Sequence, residues 1–208
     1  MPKTQTPASI YSVHPGIAMA QSVVAKMKEK TGRTLDEWIL FVKKHGPPTE
    51  KERREWLKND HKLGTNYAWW IAERAEGKGA EDADPEAYLA AAERYVQEMF
   101  AGSKAGLKPL YDALLDLGFS MGTDVKVCPC KTIIPLYRNH VFAQIKPSTR
   151  SRIDVGLALG ATKAPKRLVD TGGFKKGDRI THRIEIQSKR DIDADMKRWL
   201  KKAYELDA

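Results

Sequence analysis

The spacing of apolar residues changes once along this chain, near Asp124, and that change limits the fold more than any other feature. Before Asp124, apolar residues recur every three to four positions, which is the period of a helix with one buried face. After Asp124, the stretch "RITHRIEIQ" alternates, with Ile180, His182, Ile184 and Ile186 on one side and polar residues between them. This change predicts an α+β fold in which helices precede a sheet.

Two capping-box patterns mark helix starts in the first part of the chain. Thr34 precedes an apolar helical pattern and Glu37 follows three residues later, so each side chain can bind the backbone N–H of the other residue. Thr49 and Glu52 repeat this arrangement. Residues 15–76 are therefore predicted to form four short helices joined by short connections, as in a compact bundle.

Shorter signals place the remaining helix starts and the turns. Thr65 or Asn66 is expected to cap the fourth helix, because both residue types accept hydrogen bonds at a helix N-terminus. Hairpin turns are expected at residues 139–140 and again at residues 146–149. A final helix is expected to start at Asp191 or soon after, since its acidic start and basic end suit the helix dipole.

The segment "GKGAEDADPE" is rich in glycine and charge and lacks large apolar side chains, which is typical of a linker. It predicts a helical domain at residues 1–78 and an α+β domain at residues 79–208. In the second domain, helices are expected at about residues 85–101 and 107–118. A mostly antiparallel sheet covered by helices should follow them.

Positive charge is concentrated in one part of the chain. The whole chain carries a formal net charge of +9, and residues 126–183 alone contain 13 Lys and Arg against 3 Asp and Glu. Residues 79–125 have the opposite balance, with 3 basic and 9 acidic residues. A local basic surface attracts nucleic acid, phosphates or acidic proteins, although a solvated basic face that maintains solubility has the same composition.

Both cysteines lie in one Cys-x-Cys pair, Cys128 and Cys130. Zinc takes about four ligands, and no second cysteine pair is present, so His140 and His182 would have to complete a site. A catalytic thiol would need a base and a lowered pKa. Burial of two small apolar side chains explains the pair more simply, and no metal or cofactor is predicted.

No phosphate-binding loop or dinucleotide fingerprint occurs in the sequence. The stretch "DTGGFKKGD" is similar to an anion-binding loop, in which Gly172 and Gly173 would present backbone N–H groups beside Lys175 and Lys176. A flexible connection between strands is the favoured interpretation. A metal-dependent nuclease is a minor alternative that would need carboxylates brought together on adjacent strands. Asp154 and Asp170 are the candidates for that pairing.

Several stretches resemble known families. "SVHPGIAMAQ", "KTGRTLDEWI" and "EKERREWLKNDHKLGTNYAWWIAERA" resemble a small bacterial helical domain of unknown function. "PLYDALLDLG", "VKVCPCKTIIPLYRNHVFAQIKPSTRSRIDVGLAL", "RLVDTGGFKKGDRITHRIEI" and "DIDADMKRWLKKAYE" resemble a second domain of unknown function, which also occurs in proteins described as transport or nuclease-like. In element order alone, the second part is similar to small α+β domains predicted to bind DNA through a double-wing arrangement. These resemblances imply two domains and transfer no catalytic residues.

The sequence therefore favours a non-enzymatic binding protein whose basic sheet contacts nucleic acid or another polyanion, largely through phosphate contacts. The alternatives are an enzyme or binder acting on a small phosphorylated ligand in a pocket near residues 170–179, and a protein-interaction module. Without a recognisable export signal or apolar span, the expected location is the cytoplasm, with no membrane partner. The residues predicted to bind the polyanion are Lys131, Arg138, Lys146, Arg150, Arg152, Lys175, Lys176, Arg179 and Arg183.

Overall fold

A computed structural model describes residues 9–208. The chain divides into two compact units, which are described separately below. The helical unit comprises residues 13–90, and the sheet unit comprises residues 91–208 together with residues 9–12. The domain boundary predicted between residues 78 and 79 stays a prediction. No helix within residues 9–208 has the length and apolar character needed to cross a membrane.

Short helices build the helical unit, and the period of its apolar residues explains why. The first predicted helix is broken at Lys26 into two pieces, and the other three predicted helices follow in order. Buried side chains from these helices form one apolar core, with Met27, Val42, Leu57 and Ile71 fully enclosed. The helices are α1 (Gly16–Ala25), α2 (Met27–Thr31), α3 (Leu35–His45), α4 (Glu50–Asn59) and α5 (Thr65–Ala75).

Both capping boxes predicted from the sequence are confirmed. The Thr34 hydroxyl accepts from the Glu37 N–H at 3.2 Å, and a Glu37 carboxylate oxygen accepts from the Thr34 N–H at 2.7 Å. Thr49 and Glu52 make the same pair of hydrogen bonds at the start of α4. The prediction for α5 was wrong by one residue, because Gly64 is the N-cap and no side chain caps that helix.

The predicted linker has a structure of its own. A 3-10 turn at Ala80–Asp82 interrupts it, and the Lys78 N–H donates to the Glu73 carbonyl at 3.1 Å. The Arg74 guanidinium donates to the Lys78 carbonyl at 3.0 Å. Polar contacts to the end of α5 therefore hold this segment, although it lacks large apolar side chains.

The sheet unit combines helices with a six-stranded antiparallel sheet, so the predicted α+β class is confirmed. The strands occur in the order β1-β2-β3-β4-β6-β5. The longer helices in this part of the chain are α6 (Pro85–Met99), which begins in the helical unit, α7 (Lys108–Phe119) and α9 (Ala194–Glu205), and a short α8 spans Gly173–Lys176. The strands are β1 (Lys126–Val127), β2 (Ile134–Tyr137), β3 (Val141–Thr149), β4 (Arg152–Leu157), β5 (Val169–Asp170) and β6 (His182–Ile186).

The two faces of the sheet differ as the alternation predicts. Ile145, Val155 and Ile184 lie side by side on β3, β4 and β6 and are buried. The neighbouring row on the opposite face holds the polar side chains Lys146, Asp154 and Glu185. We refer to this second face as the outer face. Apolar side chains alternate with charged ones along β6 because successive residues point to the buried face and to the polar outer face in turn.

Two turn predictions had different outcomes. The turn at residues 139–140 is confirmed, because it joins β2 to β3. The turn expected at residues 146–149 was wrong, since β3 continues to Thr149 and the chain turns at residues 150–151. Pro147 stays within β3 beside a shift in strand register, which is a position where a strand tolerates proline.

Candidate ligand-binding cleft

A cleft of about 610 Å³ opens at one end of the sheet. It lies where β4 ends and β6 begins, so the segments that follow β4 and precede β6 supply most of its walls. Phe174 and Leu206 are large apolar side chains in these walls, and they are 57% and 59% exposed. The lining residues are Ala158, Leu159, Gly160, Ala161, Phe174, Gly177, Asp178, Arg179, Thr181 and Leu206.

The glycine-rich stretch presents fewer free N–H groups than its sequence predicts. The Gly172 N–H donates to the Asp170 carboxylate at 2.7 Å, and the Gly173 N–H donates to the Thr171 hydroxyl at 3.3 Å. The loop therefore satisfies these two N–H groups itself, and they are not free to bind an anion. Elsewhere in the cleft lining, the N–H groups of Gly160 and Ala161 donate to no residue within the described range 9–208.

Arg179 connects the cleft to a buried carboxylate. Its guanidinium forms an ion pair with Asp207, and its Nε donates to the Val141 carbonyl at 3.0 Å. The Asp207 side chain is only 2% exposed. It also accepts from the His140 backbone N–H at 2.8 Å and lies 3.0 Å from His140 Nδ1. Because a carboxylate accepts hydrogen bonds, Nδ1 carries the proton in this pair.

These contacts set the ionisation of Asp207. Burial works to raise the pKa of its carboxyl group, but the hydrogen bonds from His140 and the charge of Arg179 outweigh that effect. The pKa of Asp207 therefore lies below its ordinary value, and the group is a carboxylate at neutral pH. Asn139 adds a hydrogen bond from its side-chain amide to the Asp207 carbonyl at 2.9 Å.

Thr181 forms part of the cleft wall and contacts a buried histidine. Its hydroxyl accepts from the Leu159 N–H at 3.2 Å and lies 2.9 Å from His182 Nδ1. His182 is buried, and its Nε2 has no hydrogen-bond partner among residues 9–208. The hydrogen bonds of Thr181 connect Leu159, which follows β4, to His182 at the start of β6. They therefore hold this part of the cleft wall in place.

The outer face carries a ring of alternating charges. Asp154 lies 2.9 Å from both the Arg152 and the Arg183 guanidinium groups. Glu185 lies 3.3 Å from Arg152 and 3.1 Å from Arg183, which closes the ring. Arg152 Nε is poorly aligned for a hydrogen bond to Asp154 Oδ1, whereas Arg152 Nη2 donates to Asp154 Oδ2 at 3.5 Å. The two positive and two negative charges of the ring cancel, so the ring carries no net charge.

The residues predicted to bind a polyanion fall into two groups. Arg138, Arg152, Arg179 and Arg183 each pair with a carboxylate, and the partner of Arg138 is Asp124 at 2.9 Å. The other predicted residues are exposed side chains at the β2 approach, on β3, in the β3–β4 turn and on α8. They are Lys131, Lys146, Arg150, Lys175 and Lys176. The binding role of all nine residues stays a prediction.

Asp154 and Asp170 do not form the carboxylate pair of the nuclease alternative. Asp154 lies across from Glu185 on β6, whereas Asp170 lies across from His182 on the other side of β6. The two arginines of the ring occupy the space around Asp154. Within residues 9–208, no three His, Cys, Asp or Glu side chains are grouped as metal ligands.

The two cysteines are reduced and lie just after β1. Their backbone N–H groups continue the pairing with the neighbouring strand, donating to Pro135 and Ile133 carbonyls at 3.1 and 2.8 Å. Burial raises the pKa of the Cys128 thiol to about 12 and also raises the pKa of Cys130. Both groups are therefore protonated at neutral pH, which is unsuited to a nucleophile.

Comparison with known families assigns both parts of the chain. Residues 96–207, more than half of the chain, match the family described as Domain of unknown function (DUF5655). The chain belongs to the DUF5655 family. Residues 19–77 match a second family, Domain of unknown function (DUF4287), so the predicted resemblance to two such domains is confirmed. No curated protein and no solved structure matches the chain.

Sequence reasoning missed several residues in or beside the cleft of the DUF5655 region. Asp207 gave no signal, because its partner His140 is 67 positions away. Phe174 had one usable signal, which is a large apolar residue placed between glycines and lysines in "GGFKKGD". Residues in such a loop are usually exposed, and an exposed phenylalanine beside basic residues is typical of a binding surface.

Proposed function

We propose that the DUF5655 region binds a small phosphorylated ligand with a planar aromatic ring, of the size of a nucleotide, in the cleft at the end of the sheet. The observation that carries this proposal is the cleft itself, in which the exposed side chain of Phe174 lies beside the exposed lysines of α8. Its volume of about 610 Å³ is in the range of ligand pockets.

Phe174 supports binding of the planar ring. Its side chain lies in the cleft wall and is more than half exposed, so one ring face is available for stacking. Leu206 adds apolar surface to the same cleft. Exposed apolar side chains cost free energy in water, and a bound ring would cover both of them.

The surrounding groups support binding of the phosphate. Lys175 and Lys176 follow Phe174 directly and are exposed, and neither pairs with an acid within residues 9–208. The unpaired N–H groups of Gly160 and Ala161 are additional donors in the wall. Asp178 is the acidic side chain in the wall, and it suits a hydroxyl or amino group of the ligand as an acceptor.

Calorimetric titration with AMP and with adenosine tests the proposal. We expect AMP to bind and adenosine to bind at least several-fold more weakly, because adenosine has the ring without the phosphate. If AMP and adenosine bind equally tightly, the phosphate does not contribute to the affinity, and that part of the proposal is wrong. Failure of AMP, ADP and ATP to bind or to raise the melting temperature would contradict the whole proposal.

A second candidate is binding of nucleic acid, and the exposed cations favour it. Lys146 and Arg150 are exposed on β3 and in the following turn, and neither pairs with an acid within the described residues. For duplex DNA, the logarithm of the affinity should fall with log salt by about 0.9 per phosphate contacted. Replacing both residues by alanine should reduce this slope and leave AMP binding unchanged. A wild-type protein that binds no DNA or RNA at low salt would exclude this candidate.

A further inference from the structure

The carboxylate of Asp207 is surrounded by donors of a kind that also bind phosphate. The Arg179 guanidinium, the His140 N–H and the protonated His140 Nδ1 all contact its two oxygens. Arginine and backbone N–H groups bind phosphate oxygens in the same way as carboxylate oxygens. The groups around Asp207 therefore form an anion-binding arrangement that is occupied by a carboxylate of the same chain.

This anion site adjoins the cleft. Arg179 lines the cleft on one side and holds Asp207 on the other, and Leu206, the residue before Asp207, is also in the cleft wall. Phe174 and Arg179 line the same cleft, so a ligand that stacks on Phe174 can place its phosphate near Arg179.

We infer that the Asp207 carboxylate occupies the phosphate-binding position when no ligand is bound. The phosphate of the ligand then displaces it from Arg179 and His140. The inference rests on the proposed function and names its phosphate subsite. Asp207 competes with the ligand for the same donors, so the affinity of the cleft for phosphorylated molecules is set in part by how firmly residues 206–207 stay docked.

The segment that carries Asp207 is suited to displacement. It follows α9, and Leu206 remains mostly exposed, so little apolar surface holds it in place. The Asp207 N–H donates to the Tyr204 carbonyl at 3.2 Å, which is a local hydrogen bond that need not break when the side chain moves. Displacement breaks the hydrogen bonds to the carboxylate and the one from the Asn139 amide, and an incoming phosphate accepts the first set in its place.

Calorimetric titration of AMP into the Asp207→Asn variant tests the inference, with Asp195→Asn as a matched control. Both substitutions remove one carboxylate beside an arginine, but Asp195 pairs with Arg198 near the start of α9 and does not line the cleft. We expect Asp207→Asn to bind AMP about tenfold more tightly than wild type, because the neutral amide competes less well for Arg179. Asp195→Asn should stay within about twofold of wild type, since its arginine is outside the cleft.

The outcomes separate the two proposals. Equal or weaker binding by Asp207→Asn, with clear binding by the wild type, overturns the inference and leaves the proposed function standing. Binding by both proteins that is tighter for Asp207→Asn supports the inference. Binding by Asp207→Asn alone shows that AMP does not displace Asp207 from the wild type, which overturns the inference. If none of the three proteins binds AMP, the proposed function and the inference both fail.

Hydrogen exchange on the wild type provides a test that needs no variant. Saturating AMP should increase deuterium uptake at residues 206–208 while decreasing it at residues 158–161, which also line the cleft. Unchanged or decreased uptake at residues 206–208 in the bound protein would show that Asp207 stays docked, which overturns the inference.

Discussion

Two groups of arginine and carboxylate in the sheet unit differ in how their charges are arranged. On the outer face, Arg152 and Arg183 alternate with Asp154 and Glu185 in a closed ring. At the cleft end, Arg179 and the His140 donors converge on one buried carboxylate, Asp207. The ring lies on strands, whereas the second group joins a turn, a loop and the segment after α9.

We propose that this difference separates an arrangement that stabilises the sheet from one that binds a ligand. In the ring, each charge has fixed partners on neighbouring strands, so the charges cancel and the strands are held in register. At the cleft end, the donors surround a single acceptor that lies on a short segment beside a cavity. The same residue types therefore pair across strands in one place and converge on a single buried carboxylate in another.

The largest expected effect on stability comes from opening the ring. Asp154→Ala leaves two arginines and the Ser148 hydroxyl without their shared acceptor, and Asp154 is only 14% exposed. We expect a loss of about 2 kcal/mol in the free energy of unfolding, measured by urea denaturation. AMP affinity should not change, because the ring is not part of the cleft.

Asp112→Ala is the matched control for this prediction. Asp112 pairs with Lys108 on the exposed surface of α7, where such pairs contribute well under about 1 kcal/mol. If the two variants lose the same stability, the ring is no more than an exposed set of ion pairs, and the comparison fails.

The next effect concerns binding at the cleft. Phe174→Ala should weaken AMP binding by about tenfold or more, since stacking of a base on an aromatic side chain contributes about 1–3 kcal/mol. The stability of the Phe174→Ala variant should change little, because the Phe174 side chain is largely exposed. Phe119→Ala removes another partly exposed phenylalanine from the same unit, outside the cleft, and should leave the affinity unaltered. Equal weakening by both variants would point to a general loss of structure.

A smaller effect is expected from the lysines of α8. Replacing Lys175 and Lys176 by alanine should weaken AMP binding several-fold at low salt, with a smaller difference at high salt, because exposed charges are screened. Replacing Lys146 and Arg150 instead should leave AMP binding as it is. A reversed result, in which only the second pair matters for AMP, would place the ligand on the outer face.

The smallest effect is the dependence of stability on pH. The pKa of Asp207 is lowered in the folded state, so its contribution is present above the ordinary carboxyl pKa of about 3.9 and is lost as the pH falls through the folded value. The difference in unfolding free energy between wild type and Asp207→Asn should therefore shrink as the pH is lowered from 6 towards 3. A difference that stays constant over this range would show that the ionised carboxylate does not stabilise the fold.

The helical unit was predictable because its signals are local. Thr34 with Glu37, and Thr49 with Glu52, are three residues apart, and their hydrogen bonds need no tertiary contact. The alternation along β6 was equally direct, since burial on one face requires it. The cap of α5 was missed because Gly64 leaves the helix start without a side-chain acceptor.

The candidate site was less predictable, because its charges pair over long distances in sequence. The basic block at residues 126–183 contains few acids, but several of its arginines bind acids that lie outside it in the sequence. Arg138 pairs with Asp124, and Arg179 pairs with Asp207. Counting charge along a window therefore overstated the positive surface, and only the fold shows which cations pair with acids from elsewhere in the chain.

Titration of the isotopically labelled protein with AMP, followed by NMR, tests most directly whether the cleft is a ligand site. We predict that amide signals of residues 158–161 and 174–181 shift together and saturate with one molecule of AMP per chain. Signals of Lys146, Asp154 and Glu185 on the outer face should stay in place. Shifts confined to the outer face, or no saturable shifts at all, would contradict the account.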